Sequence, residues 1–337
     1  MKIPKVLSFG ELLWRFSPAA DQGFTHLGSL QMFTGGAEAN VAVSLANWGI
    51  PAAYLTRLPD NELAATAVQV LQQYGVQTDK IYYGGDRMGY YFLAHKNGLS
   101  SGQVIYDRKY SAFSQLQPGM IDWENVLRDI SWFHWSAISP ALNEQVAAVC
   151  LEAVQAARKK NIIISTDLNY RNRLWDYGRQ PHEIMPELAG YCDVIMGNIW
   201  AAEKMLQIPL QLPTGNPGKK QLEEAALSTS ENICKTFGQC KKAAMTFRFS
   251  NHPLHNHFYG TYYDGQKLFI SKDHETRELT DRIGGGDAFM AGLIYALLND
   301  YAAQEIIDFA AAASFKKLFV KGDFNLVTID EVRKEMQ

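Results

Sequence analysis

The chain has little cysteine: four residues in 337, Cys150, Cys192, Cys234 and Cys240, with no Cys-x-x-Cys pair. That excludes a disulfide scaffold or a cysteine-based zinc module and points to free thiols in a reducing cytoplasm. It also lacks any apolar run long enough to span a bilayer, so no membrane partner is expected. Met1 to Gly10 runs directly into a strand and a turn, without the long apolar core or small-residue cleavage site of a signal peptide. There is no basic excess: 32 Lys and Arg stand against 35 Asp and Glu, a net charge of −3, which argues against nucleic acid as a partner. No Gly-x-x-x-x-Gly-Lys-Ser/Thr motif is present, so this is not a P-loop protein. Gly215-Asn216-Pro217-Gly218-Lys219-Lys220 lacks that spacing, follows Pro213, and reads as a surface turn. No Gly-x-Gly-x-x-Gly follows the first strand, which argues against a dinucleotide-binding oxidoreductase. Internal repeats and low-complexity linkers are absent as well.

What remains is ample for a large core: 47% of residues are hydrophobic, enough for one large α/β domain or two medium ones. Short apolar strands are predicted at Lys5–Phe9, Ala52–Leu55, Trp132–Trp135, Ile162–Ser165, Val194–Met196 and Ala243–Thr246. Helices are predicted at Val41–Trp48, Glu62–Tyr74, Glu144–Lys160 and Ala288–Leu298. Strands alternating with helices imply βαβ units and a mainly parallel sheet buried on both faces. Trp132-Phe133-His134-Trp135 reads as a buried strand, not a stacking platform. Two regions, about 13–33 and 81–114, carry closely spaced β-like stretches with no helix between them.

The most informative stretch is Asp281-Arg282-Ile283-Gly284-Gly285-Gly286-Asp287-Ala288-Phe289, just ahead of the alanine-rich helix. Glycines bring bare N–H groups close to a ligand, and a helix N-terminus adds unpaired donors and partial positive charge. Together they suit an anion such as a transferring phosphoryl group. A carboxylate at Asp287 would repel a resting phosphate; it serves either as a base for an attacking hydroxyl or as a helix cap. His252, His255 and His257 form a His-x-x-His-x-His pattern with no cysteine or carboxylate nearby in sequence, and read as a solvated hairpin loop.

Asp-x-x-Gly-x-Gly-Asp-Ala-Phe resembles the C-terminal signature of the PfkB, or ribokinase-like, sugar kinases. Gly35-Gly36-Ala37-Glu38-Ala39-Asn40-Val41-Ala42 resembles their N-terminal signature. The resemblance spans essentially the whole chain. It implies one ribokinase-like domain over 1–337, a three-layer α/β/α fold with a mainly parallel sheet, and a small β-sheet lid from 13–33 and 81–114. A lid keeps water from the γ-phosphate, and its exposed edges suit pairing into a homodimer or higher homo-oligomer. The resemblance makes Gly284, Gly285 and Gly286 the anion hole and Asp287 the base for the sugar hydroxyl. It implies ATP and Mg²⁺, the latter held mostly by the nucleotide.

The sugar pocket is expected to combine Gly35, Gly36 and Asn40 with lid residues. Arg108 and Arg171 each lie where the substrate is expected, and Arg15 stands where neutral-sugar members carry an acid; a guanidinium fork suits a carboxylate, the alternative for Arg108 or Arg171 being an internal ion pair with Asp107 or Asp167. These segments, with Leu58-Pro59-Asp60-Asn61 and Gly322-Asp323-Phe324-Asn325, resemble the 2-keto-3-deoxygluconate kinase branch. The resemblance assigns Tyr90, Tyr106, Arg108 and Arg171 to the sugar acid, and Asn198, Thr246, Arg248, Gly284, Gly286 and Ser314 to ATP. Ala201 replaces the family's glutamate after Asn198, which leaves Glu203 as a water-mediated metal contact. Arg248 replaces a glycine and would touch phosphate or block it. The expectation is an ATP-dependent kinase acting on the terminal hydroxyl of a small sugar acid. A neutral-sugar kinase for fructose or ribose, and a non-catalytic sensor on the same fold, are the alternatives.

Overall fold

In a computed structural model the protein is described at residues 5–18, 24, 29–96, 101–213, 215–252 and 254–337, with backbone alone for 95, 96 and 101–103. The strands in chain order are β1 (Val6–Phe9), β2 (Leu13–Pro18), β3 (Leu30–Gly35), β4 (Ala52–Leu55), β5 (Arg57–Leu58), β6 (Tyr82–Tyr83), β7 (Gly89–Lys96), β8 (Ser101–Asp107), β9 (Trp132–Ser136), β10 (Ile163–Asp167), β11 (Val194–Gly197), β12 (Lys242–Phe249), β13 (Asn256–Tyr263), β14 (Leu268–Ile270) and β15 (His274–Thr276). The helices are α1 (Ala37–Asn47), α2 (Glu62–Gln73), α3 (Trp123–Val126), α4 (Glu144–Lys159), α5 (Pro181–Ala189), α6 (Ile199–Leu206), α7 (Lys219–Thr236), α8 (Gly285–Leu298), α9 (Ala303–Lys317) and α10 (Ile329–Met336).

The large sheet runs β14-β13-β12-β11-β10-β9-β1-β4, with β15 also paired to β13. From β4 to β12 all neighbours are parallel; β13 then turns antiparallel to β12, β14 and β15. Alternation along each strand feeds two separate apolar cores, one on each face. Leu7, Phe9, Phe133, Trp135, Ile164 and Ile195 pack on the side of α4 to α7. Val6, Tyr54, Trp132, Val194 and Met196 pack on the side of α1, α2, α8, α9 and α10. The sandwich of helices, sheet and helices expected from the chain is therefore present. Some polar residues in the central strands pair with one another across the sheet. The Trp132 indole donates to Ser165 Oγ at 2.8 Å, and His134 Nδ1 lies 3.0 Å from the same oxygen. Burial pushes the His134 pKa down to about 3, so the ring is neutral.

The predicted strands and helices are all present, with two useful shifts. The helix expected from Val41 begins at Ala37, which puts Asn40 on its first turn, and the last parallel strand continues to Phe249, which carries Arg248. A second sheet, β3-β2-β7-β8, is the expected lid; β2 and β7 run parallel while the outer pairs are antiparallel. The parts of the lid segments at 19–23, 25–28 and 97–100 lie outside the described residues. No helix of the described residues is long and apolar enough to cross a membrane.

Candidate active site

Two helices begin at glycine without a side-chain cap, and both point into one cleft. Gly284, the N-cap of α8, has φ 78, and a Cβ there would stand 2.2 Å from the Asp323 carbonyl oxygen. Gly36, the N-cap of α1, has φ 149, and its Cβ would stand 2.4 Å from the Glu11 carbonyl oxygen. Only glycine fits either position, and the first-turn N–H groups are left open to a ligand. The cleft, about 460 Å³, lies at the carboxyl edge of the parallel strands beneath the lid, where open α/β sheets bind ligands.

Asp287, on the first turn of α8, accepts a 2.6 Å hydrogen bond from Asn40 Nδ2 on α1. It caps no helix; its carboxyl is turned to the other helix. Burial drives its pKa up to about 7, against the lowering effect of Asn40; Asp167 and Glu38 add repulsion and Arg171 offsets part of it. The Asn40 Oδ1 is buried without a hydrogen-bond partner, an acceptor available to a ligand hydroxyl. Asp167, at the end of β10, is also pushed up to about 6 by burial, although the Asn169 N–H (2.9 Å) and Arg171 favour its charged form. Facing these carboxyls are three guanidinium groups, of Arg171, Arg248 and Arg282. Arg171 Nη1 donates to the Tyr170 carbonyl at 3.0 Å. Among the described residues neither Arg171 nor Arg248 has a carboxylate within 4 Å.

Of the residues named from sequence, Gly36, Asn40, Tyr106, Arg171, Asn198, Thr246, Arg248, Gly284, Gly285, Gly286 and Asp287 line this one cleft. Five others do not. Gly35 packs on Asp323, whose Oδ1 would be 2.3 Å from a Cβ. Tyr90 faces away from the cleft, its ring 5.6 Å from Phe16 and beneath Arg87; its neighbour Tyr91, on the opposite face of β7, lines the cleft instead. Arg108 is buried with its Nε 2.5 Å from Glu11 Oε2, so its charge is already neutralised inside the fold. Ser314 is buried in α9 under Gly285. Glu203 is exposed on α6, off the cleft, as its helical offset from Ala201 requires. Asn198 caps α6 by accepting the Ala201 N–H at 2.8 Å.

Arg15 is likewise not a substrate group. It is 1% exposed, with Nη2 2.9 Å from Asp281 Oδ2 and Nε 2.9 Å from Asp323 Oδ2. Around this pair Tyr91 donates to Asp323, the Gly322 N–H donates to Asp281, and Lys317 Nζ donates to the carbonyls of Val320 (2.9 Å) and Gly322 (2.8 Å). The network ties lid strands β2 and β7 to the loop that carries the glycines. Sequence reasoning named neither this network nor a place in the cleft for Asp167 and Tyr91. The histidine pattern also departs from expectation. β15 brings Glu275 to His255 and Asp273 to His257, each at 2.9 Å. These are two separate pairs, and among the described residues no group of three or more ligating side chains forms there.

A carboxyl that can take a proton near neutral pH, set beside open backbone donors, suits removal of a hydroxyl proton as that hydroxyl attacks phosphorus. Fold and site together define a kinase that phosphorylates a small alcohol. The chain belongs to the pfkB family of carbohydrate kinases, whose family model matches residues 3–238. The glycine cradle and Asp287 lie beyond that stretch but within the whole-chain likenesses. The chain is 29% identical to a 2-dehydro-3-deoxygalactonokinase of Haloferax volcanii over 99% of its own length and 96% of that protein's. It is similar to the crystal structure of a 2-dehydro-3-deoxygluconokinase from Thermotoga maritima, with 34% identity, TM-score 0.91 and 99% of each chain covered. A probable fructokinase-4 of Arabidopsis thaliana is 25% identical, over 89% of this chain and 84% of that protein.

Proposed function

We propose that the protein transfers the γ-phosphoryl group of ATP to the terminal hydroxyl of a small sugar acid, 2-keto-3-deoxygluconate, giving its 6-phosphate. The observation that carries this reading is Arg171: a guanidinium with no carboxylate partner among the described residues, in the same cleft as Asp287. A neutral sugar gives such a group no counter-charge, whereas a carboxylate accepts its paired N–H donors. The relatives named for 2-keto-3-deoxy sugar acids support the same substrate class.

In this mechanism Asn40 and Asp287 hold the terminal hydroxyl, and Asp287 takes its proton as oxygen attacks phosphorus. The N–H groups of Gly284 to Asp287 meet the charge on the transferring group. Arg171 fixes the carboxylate, with Tyr91 and Tyr106 closing the pocket from the lid. Among the described residues no group of three or more His, Cys, Asp or Glu side chains can hold a metal ion. Mg²⁺ bound to the nucleotide would neutralise its phosphate charge. Leu30, Met32 and Ile105 are exposed on lid strands, which supports pairing of lids between two copies. The four cysteines are free, in keeping with a cytoplasmic enzyme.

ADP release with ATP and Mg²⁺ across 2-keto-3-deoxygluconate, its galacto epimer, gluconate, fructose and ribose tests the proposal. Turnover confined to the keto-deoxy acids is expected. Equal turnover on fructose or ribose overturns the sugar-acid assignment, and silence across the panel with ATP still bound favours a sensor.

A further inference from the structure

The cleft holds one more cation than a sugar acid needs. Arg248 sits on β12 with its guanidinium 5.8 Å from the Phe258 ring centre and Nη2 2.9 Å from where a Cβ on Gly285 would lie. It is therefore directly over the glycine cradle, not at the rim. Its neighbours are unfavourable. Among the described residues no carboxylate lies within 4 Å; the side chain is exposed at the cleft, and its charged neighbours are Arg282 and Arg171. Thr246, two residues earlier on the strand, has its hydroxyl donated to the Gly197 carbonyl at 3.2 Å and does not reach Arg248. A cation held beside other cations is favoured by an arriving anion, and the cradle beneath it is built from backbone donors for one.

We propose that Arg248 is a catalytic residue of the phosphoryl transfer, a guanidinium supplied from within the chain that takes up charge on the terminal phosphoryl group. The inference rests on the kinase reading above and adds to it the group that opposes Asp287 across the reacting phosphorus. In the step it serves, the sugar hydroxyl oxygen forms a bond to the γ-phosphorus and its proton passes to Asp287. The bond from γ-phosphorus to the β,γ-bridging oxygen breaks, and ADP leaves with that electron pair. Charge builds on the oxygens of the group in transit, between the cradle N–H donors and Arg248, where a fixed guanidinium acts most strongly.

Arg248→Ala and Arg248→Lys in the full chain test this, read by steady-state kinetics, by calorimetric binding of ADP and of a non-hydrolysable ATP analogue with Mg²⁺, and by thermal melting. Arg248→Ala is expected to lower kcat by about 10²- to 10³-fold while the sugar-acid KM stays within about threefold. Its preference for the ATP analogue over ADP is expected to fall at least about tenfold. Arg248→Lys, a point charge without the fork, is expected to recover most of that preference but little of kcat. Because the side chain makes no ion pair, the ligand-free Ala variant is expected to melt no lower than the wild type. A kcat within threefold of wild type, or above it, overturns the proposal, as does an equal loss of affinity for both nucleotides. The nucleotide preference is measured without sugar. A wild type inactive on sugar acids whose preference still depends on Arg248 therefore refutes the substrate assignment and not this one.

Discussion

Replacing Asp287 by Asn is expected to abolish turnover and at the same time stabilise the fold. The side chains are isosteric, and the amide oxygen can still accept the Asn40 hydrogen bond. What is lost is the proton acceptor, worth about 10²- to 10⁴-fold in kcat, or roughly 3–5 kcal/mol of barrier. What is gained follows from linkage. The Asp287 carboxyl rises from 3.8 to about 7 in the fold, so the folded state holds its proton more tightly than the unfolded state. Its contribution is fully present below about pH 4 and is lost as pH rises through about 7. A rise of that size sets a ceiling of about 4 kcal/mol on the cost of charging it. The carboxyl is half-buried, so about half of that is expected to be realised. For 337 residues, at about 2.1 cal/mol/K of unfolding entropy per residue, this is a Tm gain of about 3 °C. Differential scanning calorimetry at pH 8.5 and pH 5 is the assay. The gain is expected at pH 8.5, and at pH 5, where wild-type Asp287 is protonated, it should shrink to within about 1 °C. The wild-type kcat/KM should rise with unit slope up to about pH 7. A variant that keeps kcat within tenfold, or shows the same Tm difference at both pH values, refutes the reasoning.

Arg171→Ala is expected to raise the sugar-acid KM by about 10- to 100-fold, the worth of a charged hydrogen-bond pair, with kcat changed less; an unchanged KM removes Arg171 from the carboxylate. Gly284→Ala forces a side chain into φ 78 and against the Asp323 carbonyl; it is expected to cost about 1–3 kcal/mol by urea unfolding and to lower kcat at least tenfold. Gly286→Ala, where a Cβ meets nothing within 4 Å, is expected to leave stability unchanged. Arg15→Met strands Asp281 and Asp323 as buried carboxyls and is expected to cost about 3–5 kcal/mol in the same unfolding measurement.

The parallel sheet was legible because parallel strands are continuous apolar runs: Val6-Leu7-Ser8-Phe9 and Trp132-Phe133-His134-Trp135 need no partner to be recognised. The glycine cradle was legible as a run of glycines ahead of an apolar helix, and Gly284 at its head is a position only glycine tolerates. Tyr90 against Tyr91 was not, since adjacent strand residues face opposite ways and only the pairing of Leu13 with Gly89 fixes which enters the cleft. Arg108 and Arg15 were read as substrate cations because sequence shows a charge but not its partner. Glu11, Asp281 and Asp323 reach them from 97, 266 and 308 residues away in the chain. Asp273 and Glu275 beside the histidines escaped notice for the same reason. Local chemistry reads well from sequence; neutralisation over long separations does not.

The central claim is that this cleft phosphorylates the terminal hydroxyl of a keto-deoxy sugar acid. ³¹P NMR of the product formed from ATP, Mg²⁺ and an equimolar mixture of 2-keto-3-deoxygluconate and fructose tests it most directly. A single new phosphomonoester, coupled to the terminal methylene protons of the sugar acid, is the predicted result. Fructose phosphate as the main product, or hydrolysis of ATP to inorganic phosphate with neither sugar modified, would contradict it.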